Sequence, residues 1–266
     1  GIAFASVGAI ILALICFMNP ALGLYILIFA MLLGPQLGTG GAAGEGVRCR
    51  GLTLRLDDFL LLIIGFSWFL STTVNKERGL FLKTPLNRYI AYYLLACLFA
   101  TLVGYMMGRV KGTAGIFFVL KYFEYYIVFF MAVNYLKEKK QMERLIWTML
   151  IVCLVVCAIA IYQIPSGIRV SAPFEGETGE PNTLGGYLVL ILSLVLGFLF
   201  NDYGTKKQRL FLRGLVFFIL ITLAATLSRS SWLALVPMLL VLIYFSKRKL
   251  AVIITLIVLF IFSAFL

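Results

Sequence analysis

The chain reverses direction within Leu220-Ile-Thr-Leu-Ala-Ala-Thr-Leu-Ser-Arg-Ser-Ser-Trp-Leu-Ala-Leu235, where two apolar runs meet at a short polar turn. The runs cover residues 215–227 and 232–245, and each is shorter than the roughly 20 helical residues that cross a bilayer. One helix over both runs would be far too long, so the sequence predicts a turn at Arg229. Because both arms are short, we expect this turn to lie just beneath the membrane surface.

The predicted turn combines groups that bind anions. An arginine inside a membrane costs about 2.5–3.5 kcal/mol on the insertion scale, so Arg229 is a functional candidate. Ser230 or Ser231 is predicted to cap the next helix, whose first N–H groups and positive dipole end face the same point. Together with the hydroxyl of Ser228, these groups suit a phosphate. The alternative is that Arg229 extends to the lipid head groups and has no other role.

The composition is typical of a polytopic helical membrane protein. Hydrophobic residues make up 62% of the chain and charged residues 13%, which excludes a soluble globular domain. The net charge of +12 comes mostly from short loops between apolar runs, a pattern that follows the positive-inside rule and does not indicate nucleic-acid binding. We therefore predict an all-α transmembrane bundle of about 8–10 membrane helices within a lipid bilayer.

The charges of the loops predict the topology. The connections richest in Lys and Arg are assigned to the cytoplasm, and they are 75–88, 137–144, 201–213 and 246–249. Alternation of the spans then places the acidic loop 165–186 and the Arg229 turn together on the extracytoplasmic side. We therefore expect Arg169, in that loop, to lie at the same face as Arg229.

Four polar residues elsewhere are supporting candidates. Lys121 and Glu124 are three positions apart within an apolar run, so they are predicted to pair on one helix face, as a structural or a catalytic pair. Glu175 in the acidic loop is either a base for an acceptor hydroxyl or a solvated charge, and Asn182 lies in the same loop. The chain has no histidine, and its five cysteines are interpreted as apolar packing residues. No metal or other cofactor is expected.

The second half of the chain resembles the O-antigen ligase and polymerase family. The resemblance lies in Arg169-Val-Ser-Ala-Pro-Phe-Glu175, in Glu180-Pro-Asn-Thr-Leu-Gly-Gly-Tyr-Leu188 and in Thr226-Leu-Ser-Arg-Ser-Ser-Trp-Leu-Ala-Leu235. Within the last segment, Arg229-Ser-Ser-Trp-Leu233 is similar to the family's Arg-x-x-x-Leu motif. The chain is accordingly divided into N-terminal transmembrane helices, 1–144, and an incomplete O-antigen ligase-like region, 145–266.

The resemblance implies a metal-independent, inverting glycosyltransferase with a GT-C-like fold, multi-pass in the bacterial inner (cytoplasmic) membrane. Such enzymes transfer a glycan from undecaprenyl diphosphate to a lipid, glycan or protein acceptor at the extracytoplasmic face. The family's diphosphate-binding arginines correspond to Arg169 and Arg229, and its histidine base lies in a later outer loop. Since the chain has no histidine and ends inside an apolar run, we expect it to be part of a longer protein.

Two other classes of protein fit parts of the pattern. A transporter or a flippase for lipid-linked glycans would also use Lys121 and Glu124 within a span and an arginine at a broken hairpin. The sequence shows no convincing internal repeat, which many transporters have, and this favours the transferase. A non-catalytic membrane scaffold is the third class, and the loop motifs make it the weakest of the three.

Overall fold

The structure, a computed structural model, describes residues 11–33, 56–74, 83–110, 112–167, 169–172, 181–247, 249–250 and 252–254. It is 87% helical and has no strands among these residues, so the predicted all-α polytopic bundle is confirmed. Residues 11–18 are helical, and they are followed by α1 (Pro20–Leu33), α2 (Leu56–Val74), α3 (Asn87–Met106), α4 (Gly112–Tyr135), α5 (Lys139–Gln163) with a 3-10 turn (Ile164–Ser166), α6 (Pro181–Phe200), α7 (Lys206–Thr226) and α8 (Arg229–Phe245).

Six of the described helices, α2 to α7, are long and apolar enough to cross a membrane. Two more are apolar but shorter, α8 and the greater part of α1. The described part of the chain therefore contains six candidate spans, where the sequence predicts about 8–10 for the whole.

Helix α7 begins earlier than the sequence predicts. Residues 201–213 are predicted to form a basic loop, but the helix already starts at Lys206. A capping box starts it: the Thr205 hydroxyl accepts a hydrogen bond from the Gln208 N–H at 3.3 Å, and the Gln208 side chain accepts from the Thr205 N–H at 2.8 Å. With 21 residues, α7 is about 31 Å long and can cross a membrane alone. The premise that both arms of the turn are short is thus wrong for α7, although α8 has only 17 residues.

The chain forms two compact units, Gly1–Leu145 and Ile146–Leu266. In the first, α1, α2 and α4 pack together, and their core is formed by Cys16, Leu24, Leu27, Leu61, Ile64, Trp68, Phe130 and Met131. Helix α3 packs on α4 through the edge-to-face contact of Tyr93 with Tyr122. Among the described residues, α3 buries none of its own.

In the second unit, α6 packs against both α7 and α8. The helices alternate in direction, because 201–205 returns the chain from α6 to α7 and two residues separate α7 from α8. Helix α6 is buried along Leu184, Leu188, Ile191, Leu192 and Val195, which recur at three- and four-residue intervals and form one helix face. The start of α6, the end of α7 and the start of α8 therefore meet at one end of this unit.

Candidate functional site

The turn between α7 and α8 is two residues long. Leu227 takes a left-handed conformation (φ 49°) that ends α7, and Ser228 is the extended N-cap residue of α8. The Ser228 hydroxyl accepts from the Ser231 N–H at 3.4 Å. The predicted turn at Arg229 is therefore present, but the prediction of Ser230 or Ser231 as the cap is wrong. The left-handed Leu227 ends α7 early enough for Ser228 to start α8, which places Arg229 in its first turn.

The structure brings Arg169 to this turn. Its Nε donates to the carbonyl oxygen of Thr226 at 3.0 Å, and its Nη2 donates to that of Leu227 at 3.1 Å. The last carbonyls of a helix have no partner within it, and the C-terminal end of the helix dipole attracts a cation. Arg169 therefore caps α7. Of the five N–H donors of a guanidinium, these contacts use two.

The segment around Arg169 is fixed on both sides. The Val170 N–H donates to the Ala225 carbonyl at 3.4 Å, and the Ser171 N–H donates to Gln163 Oε1 at 3.2 Å. Val170 and Ala172 are both buried. Residues 169–172 are thus held between the end of α5 and the end of α7, so the position of the Arg169 guanidinium is set by the backbone.

Three serines and an asparagine form one hydrogen-bonded network at the turn. Ser228 Oγ lies 2.8 Å from Asn182 Oδ1, 2.8 Å from Ser231 Oγ and 3.1 Å from Ser230 Oγ. Ser228 and Ser231 are buried, whereas Asn182 and Ser230 are exposed. The burial of Ser228 and Ser231 does not fit their predicted role as direct ligands of a diphosphate. Their hydroxyls bond within the protein.

Helices α6 and α8 approach each other closely at Gly185. A Cβ placed on this glycine would overlap the Ser231 side chain, with the Ser231 Cβ at 2.8 Å. A Cβ on the next residue, Gly186, would meet nothing within 4 Å. Because Gly185 has no side chain, the first turns of α6 and α8 lie side by side. Their positive dipole ends therefore point to the same region.

The opposite end of this unit is basic. Asn201 joins α6 to the chain after α8, since its Nδ2 donates to the Gly197 carbonyl at 2.9 Å and its Oδ1 accepts from the Lys247 N–H at 3.3 Å. Asp202 there pairs with Arg209 at 3.1 Å. The exposed cations at this end are Lys206, Lys207, Arg213, Lys247 and Lys249. The sequence assigns this end to the cytoplasm by the positive-inside rule.

Lys121 and Glu124, in the first unit, do not pair as predicted. Lys121 instead forms an ion pair with Asp58, in the first turn of α2. Asp57 and Asp58 are both buried, and Glu124 is half-buried within electrostatic range of Asp58 and Lys121. The sequence does not show this pair, because its partners are 63 positions apart. An ion pair between spans is a structural tie that also occurs in transport proteins.

Arg229 is exposed and lies at the positive end of its own helix. Among the described residues no hydrogen bond or ion pair of its guanidinium is present. In the described part of the chain, the Asp, Glu and Cys side chains form no group of three or more that could hold a metal ion. Glu175 lies outside the described residues.

Comparisons with protein-family models, curated proteins and solved structures found no match.

Proposed function

We propose that the chain is the membrane part of a glycosyltransferase that moves a glycan from undecaprenyl diphosphate to a lipid, glycan or protein acceptor. The reaction takes place at the extracytoplasmic face of the bacterial cytoplasmic membrane. This is the activity expected of an O-antigen ligase or polysaccharide polymerase, the family that residues 145–266 resemble. The membrane-spanning length and apolar character of six helices suit a donor with a long lipid tail.

One observation carries the proposal. Arg229 adds a positive charge where the first N–H groups of α6 and α8 already make the potential positive, with Arg169 on the neighbouring helix end. A cation at a helix N-terminus is unfavourable unless an anion compensates it. A phosphate bound there gains both the helix amides and a bidentate guanidinium. A lipid diphosphate brings such phosphates to this end of the bundle while its tail lies along the helices.

In the proposed reaction the acceptor hydroxyl oxygen attacks the anomeric carbon of the glycan. The bond from that carbon to the diphosphate oxygen breaks, and the diphosphate leaves with the electron pair. A base takes the hydroxyl proton, and Glu175 is a candidate for it. Arg229 neutralises the charge that develops on the leaving diphosphate, as a metal ion does in other transferases. Arg169 holds the end of α7 in place and presents its remaining N–H groups.

The test replaces Arg229 in the chromosomal gene and measures glycan transfer in cells. We expect Arg229→Ala to reduce transfer by about a hundredfold or more, the size of effect that follows loss of one stabilising donor at a developing oxyanion. Arg229→Lys keeps the charge but loses the bidentate geometry, so it should retain a small part of the activity. Unused lipid-linked glycan should accumulate in both variants.

The matched control is Arg213→Ala, which removes an exposed arginine near the opposite end of α7. It should leave transfer at the level of the unchanged protein. Membrane fractions of all variants are compared by immunoblot, so that loss of insertion is separated from loss of activity. Normal transfer in Arg229→Ala at normal protein level would refute the proposal.

The Lys121–Asp58 ion pair favours a second candidate function, transport of a lipid-linked glycan across the membrane. Charged groups between spans are costly and often mark a substrate or ion path. Under this alternative, Lys121→Met with Asp58→Asn should stop translocation of a fluorescent lipid-linked saccharide in proteoliposomes. Under the transferase proposal the same double variant should only affect stability.

A further inference from the structure

The direction of the hydrogen bonds in the serine network follows from counting protons. A serine hydroxyl carries one proton, and a carboxamide oxygen carries none. Ser228 Oγ lies within hydrogen-bond distance of Asn182 Oδ1, so its single proton is used in that bond. The neighbouring hydroxyls of Ser230 and Ser231 then donate to Ser228 and occupy its two lone pairs, since the Ser231 N–H lies closer to the Ser228 carbonyl oxygen, at 3.1 Å, than to the Ser228 hydroxyl. The network runs in one direction, and it ends on Asn182.

This direction decides which groups can serve an anion. The hydroxyl protons of Ser230 and Ser231 point to Ser228, and Ser228 and Ser231 are buried. The carboxamide of Asn182 is exposed in the first turn of α6, and its oxygen is held by Ser228. Its Nδ2, with two N–H donors, therefore lies on the side away from the network. No described residue accepts a hydrogen bond from it.

We propose that Asn182 is the neutral ligand of the anion site, donating Nδ2–H to a phosphate oxygen of the lipid-borne diphosphate beside Arg229. Ser228, Ser230 and Ser231 are positioning residues, which fix the orientation of the amide and do not bind the phosphate. The inference rests on the proposed function, since it assigns the donors of that same site. It also reverses the roles expected from sequence, in which the serines bind and Asn182 supports.

The decisive substitution is Asn182→Asp. Aspartate keeps an oxygen to accept the Ser228 proton, but it replaces the two N–H donors with an anionic oxygen. The purified protein in lipid nanodiscs is titrated with farnesyl diphosphate, a short lipid diphosphate, and separately with inorganic pyrophosphate. We expect Asn182→Asp to weaken farnesyl diphosphate binding at least about tenfold, with its thermal midpoint unchanged. Asn182→Ala removes the donors without adding charge, so it should weaken farnesyl diphosphate binding by only about threefold.

Two further variants separate phosphate binding by Asn182 from the added charge and from the positioning role of the serines. Asn201→Asp makes the same change in charge at the other end of α6 and should bind farnesyl diphosphate as the unchanged protein does. Ser230→Ala removes a hydroxyl that helps to position the amide without binding the ligand, so it should weaken binding only about two- to threefold, less than Asn182→Asp does. If the unchanged protein binds farnesyl diphosphate more tightly than pyrophosphate, the ligand is lipid-borne. Equal affinity for the two probes would indicate a site for free phosphate and would overturn the assignment of a lipid-borne ligand.

The remaining outcomes are also distinct. If the unchanged protein binds farnesyl diphosphate and Asn182→Asp binds it equally well, the role of Asn182 is wrong while the proposed function survives. The same conclusion follows if Ser230→Ala weakens binding as much as Asn182→Asp does. If the unchanged protein binds neither probe, both the proposed function and this inference fail.

Discussion

Arg169 Nε donates to the carbonyl oxygen of Thr226 at 3.0 Å, which ties two segments 57 positions apart. The contact serves the fold and the site together, because Thr226 is the last residue of α7 and the turn follows directly. Arg169 thus holds the end of α7, and Arg229 begins α8 after the two turn residues. The two functions of Arg169, capping and charge, can be separated by substitution.

Replacing Arg169 should reduce stability through the lost cap. Arg169→Ala leaves the Thr226 and Leu227 carbonyls without these donors, and we expect a loss of about 1–2 kcal/mol. The thermal midpoint in detergent should fall by roughly 2–8 °C. Arg169→Lys keeps the charge near the helix end, so its thermal midpoint should lie between those of the unchanged protein and Arg169→Ala. Equal midpoints for Arg169→Ala and for the exposed-site control Arg213→Ala would show that the cap does not stabilise the fold.

The two adjacent glycines of α6 give a matched pair of variants. Gly185→Ala places a methyl group against Ser231, so we expect a loss of about 1–3 kcal/mol from overpacking. Gly186→Ala meets nothing within 4 Å and should be neutral or slightly stabilising, because alanine favours helices. Thermal unfolding of the two proteins side by side measures the difference. Similar midpoints would contradict the close approach of α6 and α8.

The pair of Lys121 and Asp58 should behave as a coupled unit. Lys121→Met removes the cation that pairs with the buried Asp58 carboxylate, and we expect it to cost about 3–5 kcal/mol. The double variant with Asp58→Asn should lose less than the two single variants together. Lys139→Met is the control, since its i,i+4 partner Glu143 lies 3.9 Å away in an exposed pair worth about 0.3–0.5 kcal/mol. Simple additivity in unfolding experiments would show that the ion pair is absent.

The two ends of the second unit should face opposite sides of the membrane. Single cysteines are introduced at the exposed Ser230 and Lys247, and vesicles of both orientations are treated with a membrane-impermeant maleimide. Ser230→Cys should react from the extracytoplasmic side and Lys247→Cys from the cytoplasmic side. The parent protein controls for reaction of the native cysteines, of which Cys153 and Cys157 are buried. Labelling of both positions from the same side would refute the topology.

The sequence predicts the helices well because a membrane leaves few alternatives to an apolar helix. It also predicts the turn at Arg229, where polar residues interrupt an apolar run. The start of α7 is missed, since its first two turns carry lysines and arginines that resemble a loop. The Thr205–Gln208 spacing, typical of a capping box, is the signal that identifies it.

The contacts of the site are harder to predict than its location. The motif residues Arg169 and Asn182 are recognisable from sequence, but their partners are backbone carbonyls and a buried serine hydroxyl. Such partners depend on how the helix ends meet in space, and no local pattern encodes that. The Lys121–Asp58 pair is missed for the same reason, because a nearer carboxylate, Glu124, satisfies the local rule for helix pairs.

Asparagines tie α6 to the α8 segment at both of its ends, Asn182 through Ser228 and Asn201 through the Lys247 N–H. One inserted or deleted residue turns the rest of a helix by about 100° and moves it by about 1.5 Å. Within α8, such a change cannot keep both attachments. Lipid-facing side chains of α6 and α8 can therefore be exchanged far more readily than the number of residues between Ser228 and Lys247 can be changed.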